Sequence, residues 1–130
     1  MRREWKFPIV AGLGAGLVAV LAAAQTPVAL SATRGGLWEI DPVGPGPRLR
    51  QCVADPLALA SLEDRGRPCS RTVVNAGPSS ALVEFTCRGG AFGQSQITVL
   101  TPRSLRIDSQ GIADGGPFRR VINARRMGDC

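Results

Sequence analysis

The sequence predicts a mainly β protein: an antiparallel meander or small, partly closed barrel with one short helix and two disulfides. Three observations carry this. Sixteen Gly and ten Pro among 130 residues punctuate the chain, which suits short strands joined by turns. Stretches such as "ALVEFTC" alternate apolar and polar residues with period two. Only one stretch, "DPLALASLEDRG", reads convincingly as a helix. With 44% hydrophobic and 20% charged residues, the chain has material for one core and too little polarity for disorder.

Residues 1–24 read as a secretory signal peptide outside that fold. "MRREWK" is basic, Phe7 to Ala24 carries no charge, and "AAAQ" offers Ala22 and Ala24 before a cut at Gln25. A second site follows Ser31. The rival is a retained anchor, which Pro8, Gly12, Gly14 and Gly16 weaken, so no stable membrane span is expected after cleavage. The mature chain is then periplasmic or secreted. Residues 25–35 are expected to be an exposed lead-in, and residues 36–130 a single disulfide-linked β domain.

Within that domain "GLWEI", Gly36 to Ile40, makes a first strand, and "DPVGPGP" turns the chain. "RLRQCV" is the second strand, with Arg48, Arg50 and Cys52 on one face. Asp55 caps the helix, Pro56 fits its first position, Leu59 and Leu62 share a face, and Gly66 stops it. "CSRTVVNAGPSSALVEFTC" is a hairpin around Gly77-Pro78, with strands Ser70 to Ala76 and Ser80 to Cys87. Its expected register pairs Val74 with Leu82, Thr72 with Glu84, and Cys69 with Cys87. "RGGAFG" turns into a second hairpin, "QSQITVLT" and "SLRIDSQG", and "IADGGP" turns again. "FRRVINARRM" has residues that favour helix, but Val121-Ile122 after Gly-Gly-Pro favours a last strand. Trp38, Phe85, Phe92 and Phe118 are expected in the core.

Four cysteines follow the export segment: Cys52, Cys69, Cys87 and Cys130. An even count in an oxidising compartment reads as two disulfides, with three pairings open. Directly opposed Cys69 and Cys87 lie within reach at a non-hydrogen-bonded hairpin pair, which favours that bridge and leaves Cys52 to Cys130. A zinc site is disfavoured, since the chain has no C-x-x-C and no His.

The order of these landmarks resembles an exported bacterial family, domain of unknown function 3617. The features are the signal peptide, "GLWEI", "QCV", "PLALASL", the cysteine-bounded hairpin ending "FTC", and the closing "ARRMGDC". The resemblance spans about residues 35–130. It implies no activity and no catalytic residue.

Chemistry is sparse. The chain has no His and no Tyr, and its one Lys, Lys6, lies in the export segment. A Ser-His-Asp triad is excluded, and acid–base work falls to carboxylates. Glu39 and Asp41, two apart, are the one pair worth weighing, against a plain solvated strand end. No P-loop is present, and "GLGAG" belongs to the export segment. No catalytic residue, cofactor or metal ligand is assigned. Formal charge is +6, and residues 25–130 hold thirteen Arg against nine acids, a net +4 too modest to imply a nucleic-acid partner. Arg119, Arg120, Arg125 and Arg126 are candidate contacts for an anionic envelope lipid or ligand. Alternation puts Arg119 and Arg125 on one face, Arg120 and Arg126 on the other. The plainer reading is an Arg-rich surface that resists edge pairing. The expected role is a small exported envelope protein, not an enzyme, that binds or supports other components. The alternatives are a lipocalin-like carrier of a small apolar or anionic ligand, a carboxylate-dependent envelope enzyme, and an inhibitor of a secreted enzyme.

Overall fold

The structure, a computed structural model, describes residues 26–62 and 67–130. The expected export segment with its expected cut site at Gln25, and the expected helix end at Glu63, Asp64 and Gly66, lie outside the described residues. Seven antiparallel strands form one unclosed sheet: β1 Gly36–Pro42, β2 Leu49–Val53, β3 Cys69–Ala76, β4 Ser80–Cys87, β5 Phe92–Thr101, β6 Ser104–Ala113 and β7 Gly116–Gly128. Their order across the sheet is β2-β1-β7-β6-β5-β4-β3. Strands β3 to β7 are a meander. The first hairpin joins its far side through β1 on β7, leaving β2 and β3 as edges.

Local chemistry explains the strand ends. β6 and β7 run further than the "IADGGP" turn suggests because the turn needs only two residues. Ala113 pairs with Gly116, and Asp114 and Gly115 take φ of 52° and 79° between them. Asp-Gly tolerates two successive positive φ values, the requirement of a hairpin turn whose twist matches its strands. The Ala, Arg and Met of β7 do not make a helix, since each of its edges finds a strand to pair with.

The hairpin β3–β4 keeps the expected register from Cys69↔Cys87 to Val73↔Val83. It departs beyond that point: Asn75, not Val74, faces Leu82. A bulge absorbs Val74, which is exposed on this edge strand, where bulges hinder pairing with another chain. Arg88 N–H donates to the Pro68 carbonyl at 2.9 Å, so the adjacent Cys69–Cys87 pair is non-hydrogen-bonded and bridged. Cys52 is bridged to Cys130 across 78 positions, with Cα atoms 5.8 Å apart.

One face of the sheet carries the core. Trp38, Ile40, Val83, Ile97, Leu105, Ile107, Ile122 and Ala124 are buried there. Each large apolar side chain removed from water contributes about 1.5–3 kcal/mol. The expected helix lies on this face as a 3-10 helix, Pro56–Ser61. Asp55 caps it by accepting from Leu57 N–H at 2.9 Å. So short a segment gains little from α geometry, and three residues per turn stack Pro56 and Leu59 toward the sheet. Ser61 Oγ accepts from Arg71 Nε at 2.8 Å, and Ser95 Oγ donates to the Ala60 carbonyl.

The lead-in is not exposed as expected. A first 3-10 turn, Val28–Leu30, buries Ala29 and Leu30, and Leu30 joins the core. Its "PVAL" is apolar enough to cover sheet surface that a single helix leaves open. Phe92 is a second correction: it is 52% exposed, while Phe85 is buried and Phe118 half-buried. The strand begins at Phe92 rather than after it, and Gly93 takes the inward position.

Candidate functional site: arginines around Glu39

β1 reads Gly-Leu-Trp-Glu-Ile-Asp-Pro, so Trp38 and Ile40 enter the core and Glu39 and Asp41 face outward. Glu39 is nevertheless buried, at 8% exposure. Strand pairing explains this: Arg50 on β2 and Arg125 on β7 lie directly opposite it on either side. Arg50 lies 3.3 Å from Glu39 Oε2. Arg48 and Arg125 approach Oε1 at 3.6 and 3.8 Å. Arg48 also reaches Asp41 at 2.9 Å. The three guanidinium side chains are 60–64% exposed, so they roof the carboxylate while keeping N–H groups toward solvent. Three cations over two carboxylates leave one positive charge. Both Glu39 oxygens face guanidinium groups, an arrangement that suits holding an anion better than taking a proton from a substrate.

The four predicted arginine contacts do not form one site. Arg125 belongs to this cluster. Arg119 shares its outer face but forks onto Asp108, at 3.3 and 2.9 Å. That hydrogen bond, more than the charges of Arg119 and Arg106, holds the Asp108 carboxyl below its ordinary range, and Asp108 in turn raises Arg119. Arg126 lies on the opposite face, 12% exposed, donating to the Gly35 carbonyl at 2.9 Å and to Asp129 at 2.6 Å. It is a strut between the last strand, the lead-in and the segment before Cys130. Arg120 is half-buried on the core face, paired with Ser109. Alternation within β7 was readable from the sequence. The convergence of Arg48, Arg50 and Arg125 was not, because it depends on β1 lying between β2 and β7.

Elsewhere, Arg71 is lowered by burial, against the attraction of Asp55. Among the described residues no group of His, Cys, Asp and Glu is placed to hold a metal ion, and no helix is long and apolar enough to cross a membrane. Both disulfides are formed, and no described cysteine is free. The chain matches no family model, no curated protein and no solved structure.

Proposed function

We propose that this is a small exported envelope protein, not an enzyme, that binds an anionic envelope lipid or ligand through Arg48, Arg50 and Arg125. The observation that carries the reading is the ring of three exposed guanidiniums around buried Glu39. Glu39 orders the arginines before any ligand arrives, which lowers the entropy cost of gathering three long side chains. Their remaining N–H groups suit phosphate or carboxylate oxygens. The two disulfides fit an oxidising compartment. The core face holds both 3-10 segments and the packed apolar side chains, so the observations favour a surface site over a carrier's interior.

The test is co-sedimentation of the oxidised protein without the expected export segment, residues 25–130, with vesicles of phosphatidylglycerol and phosphatidylcholine, compared with phosphatidylcholine alone. Selective retention on the anionic vesicles is expected, weakened by salt and by the double substitution Arg48→Gln/Arg125→Gln. Equal retention on both vesicles, or no effect of the double substitution, overturns the proposal.

A further inference from the structure

A second surface feature lies at the other end of the outer face. Phe85, Gly93, Gly111 and Phe118 form one row across β4, β5, β6 and β7. By alternation the side chains of this row belong to the core face, so toward the outer face it offers only backbone. A shallow, open groove of about 590 Å³ lies along it, between the two rows that flank it.

Its two sides differ in chemistry. One is the row Thr86, Phe92, Ile112 and Pro117, an apolar ledge in which Phe92 and Ile112 are 52% and 36% exposed. The other is the row containing Glu84, Gln94 and Gln110, all exposed, with no side-chain hydrogen bonds among the described residues. Rows two residues apart along a strand are separated by about 6.6–6.8 Å. The groove therefore presents an aromatic surface along one side and two amides and a carboxylate along the other, close enough for one small ring lying over it to touch both.

The two sides of the groove discriminate among ligand classes. A wholly apolar ligand strips water from Glu84, Gln94 and Gln110 without replacing their hydrogen bonds. An anion meets the Glu84 carboxylate, and the cation in the same row, Arg119, is committed to Asp108. A pyranose meets both sides. Its C–H face covers Phe92, and its hydroxyls donate to Glu84 and exchange both kinds of hydrogen bond with Gln94 and Gln110. We propose that this groove is a binding subsite for a neutral carbohydrate, independent of the arginine cluster.

The experiment titrates the isotope-labelled, oxidised protein without the expected export segment, residues 25–130, with chitotetraose, cellotetraose and maltotetraose, following backbone amide resonances. At least one sugar is expected to shift the Gly93 and Gly111 amides. Phe92→Ala is expected to weaken that sugar by about tenfold, the scale of one lost aromatic contact. Because Phe92 is exposed, this variant keeps its core, and an unchanged melting temperature verifies that. Gln94→Ala is expected to weaken binding while leaving vesicle retention intact. The proposal fails if no sugar shifts these amides, if the shifts centre elsewhere, or if Phe92→Ala binds as wild type. It also fails if anilinonaphthalenesulfonate occupies the groove and no sugar does, which marks an apolar docking face instead.

Discussion

The rings of Phe85 and Phe118 lie with centroids 6.5 Å apart although two strands separate their own. Gly93 and Gly111 occupy the intervening positions of that row, and the two rings cover the backbone the glycines leave bare on the core face. Tilted at 37° and at this separation, the pair lies within the range of favourable aromatic contacts. The arrangement resembles the rescue of strand glycines by cross-strand aromatics.

The first prediction follows from that packing. A Cβ at Gly93 would run into the Gln110 carbonyl, and one at Gly111 into the Phe92 carbonyl. Both obstacles are backbone, which yields little. Gly93→Ala and Gly111→Ala should each destabilise by about 2–3 kcal/mol. Gly116→Ala, on β7 with open space around it, should change stability by less than about 0.5 kcal/mol. Urea midpoints compare the three; equal losses would mean that the close approach of β5 and β6 is not rigid.

The second concerns the bridges. Cys52–Cys130 closes 78 positions and Cys69–Cys87 closes 18. Chain entropy assigns the longer closure about 4.5 kcal/mol and the shorter about 3. The long bridge also ties edge strand β2 to the segment after β7. Cys130→Ser should therefore lower the melting temperature more than Cys69→Ser, each measured beside the double variant that removes both partners. The reverse order would place the stabilisation in the hairpin.

How much of this was legible depends on the range of the interaction. The Cys69–Cys87 register was readable because it is a local hairpin with alternating residues on both arms. The bulge at Val74 was not, since its cause lies in the edge position of β3, which sequence order alone does not give. The 3-10 helix was visible as a capped "DPLALAS", but the bonds that tie it to the sheet come from Arg71 on β3 and Ser95 on β5, which the helix's own residues do not reveal. Arg119 and Arg125 share a face by simple alternation, yet one neighbours Asp108 and the other Glu39, a difference set by strand order. The exposure of Phe92 was hidden because an aromatic beside glycines suggests a turn and a core residue, whereas the strand starts one residue before Gly93.

The third prediction is electrostatic. Asp108 is held below its ordinary pKa by Arg119, so its contribution is present above the unfolded value near 3.9. That contribution disappears as pH falls through the lower folded value. The chain contains no His, and no described cysteine is free, so stability should be nearly flat from pH 5 to 8. Below about pH 4 it should fall, and Asp108→Asn should make that fall shallower. The difference is small because the pair is exposed. A steeper acid fall in Asp108→Asn would contradict this direction.

The last prediction rests on a single proton. Ser95 is fully buried, and its hydroxyl donates to the Ala60 carbonyl. It also lies 2.7 Å from the Ser109 hydroxyl. One hydroxyl has one proton, so with Ser95 spending its own on Ala60, Ser109 must be the donor in the second bond. The two residues are then unequal. Ser95→Ala orphans both the Ala60 carbonyl and the Ser109 hydroxyl, beneath the 3-10 helix, and should cost about 2–3 kcal/mol. Ser109→Ala leaves the bond to Ala60 intact and should cost about 1 kcal/mol. In the double variant only Ala60 is left orphaned, so its loss should not exceed that of Ser95→Ala alone. A double-variant cycle by urea unfolding measures this directly. Additive losses, or a Ser109→Ala cost equal to that of Ser95→Ala, would show that the proton chain does not run from Ser109 through Ser95 to the helix.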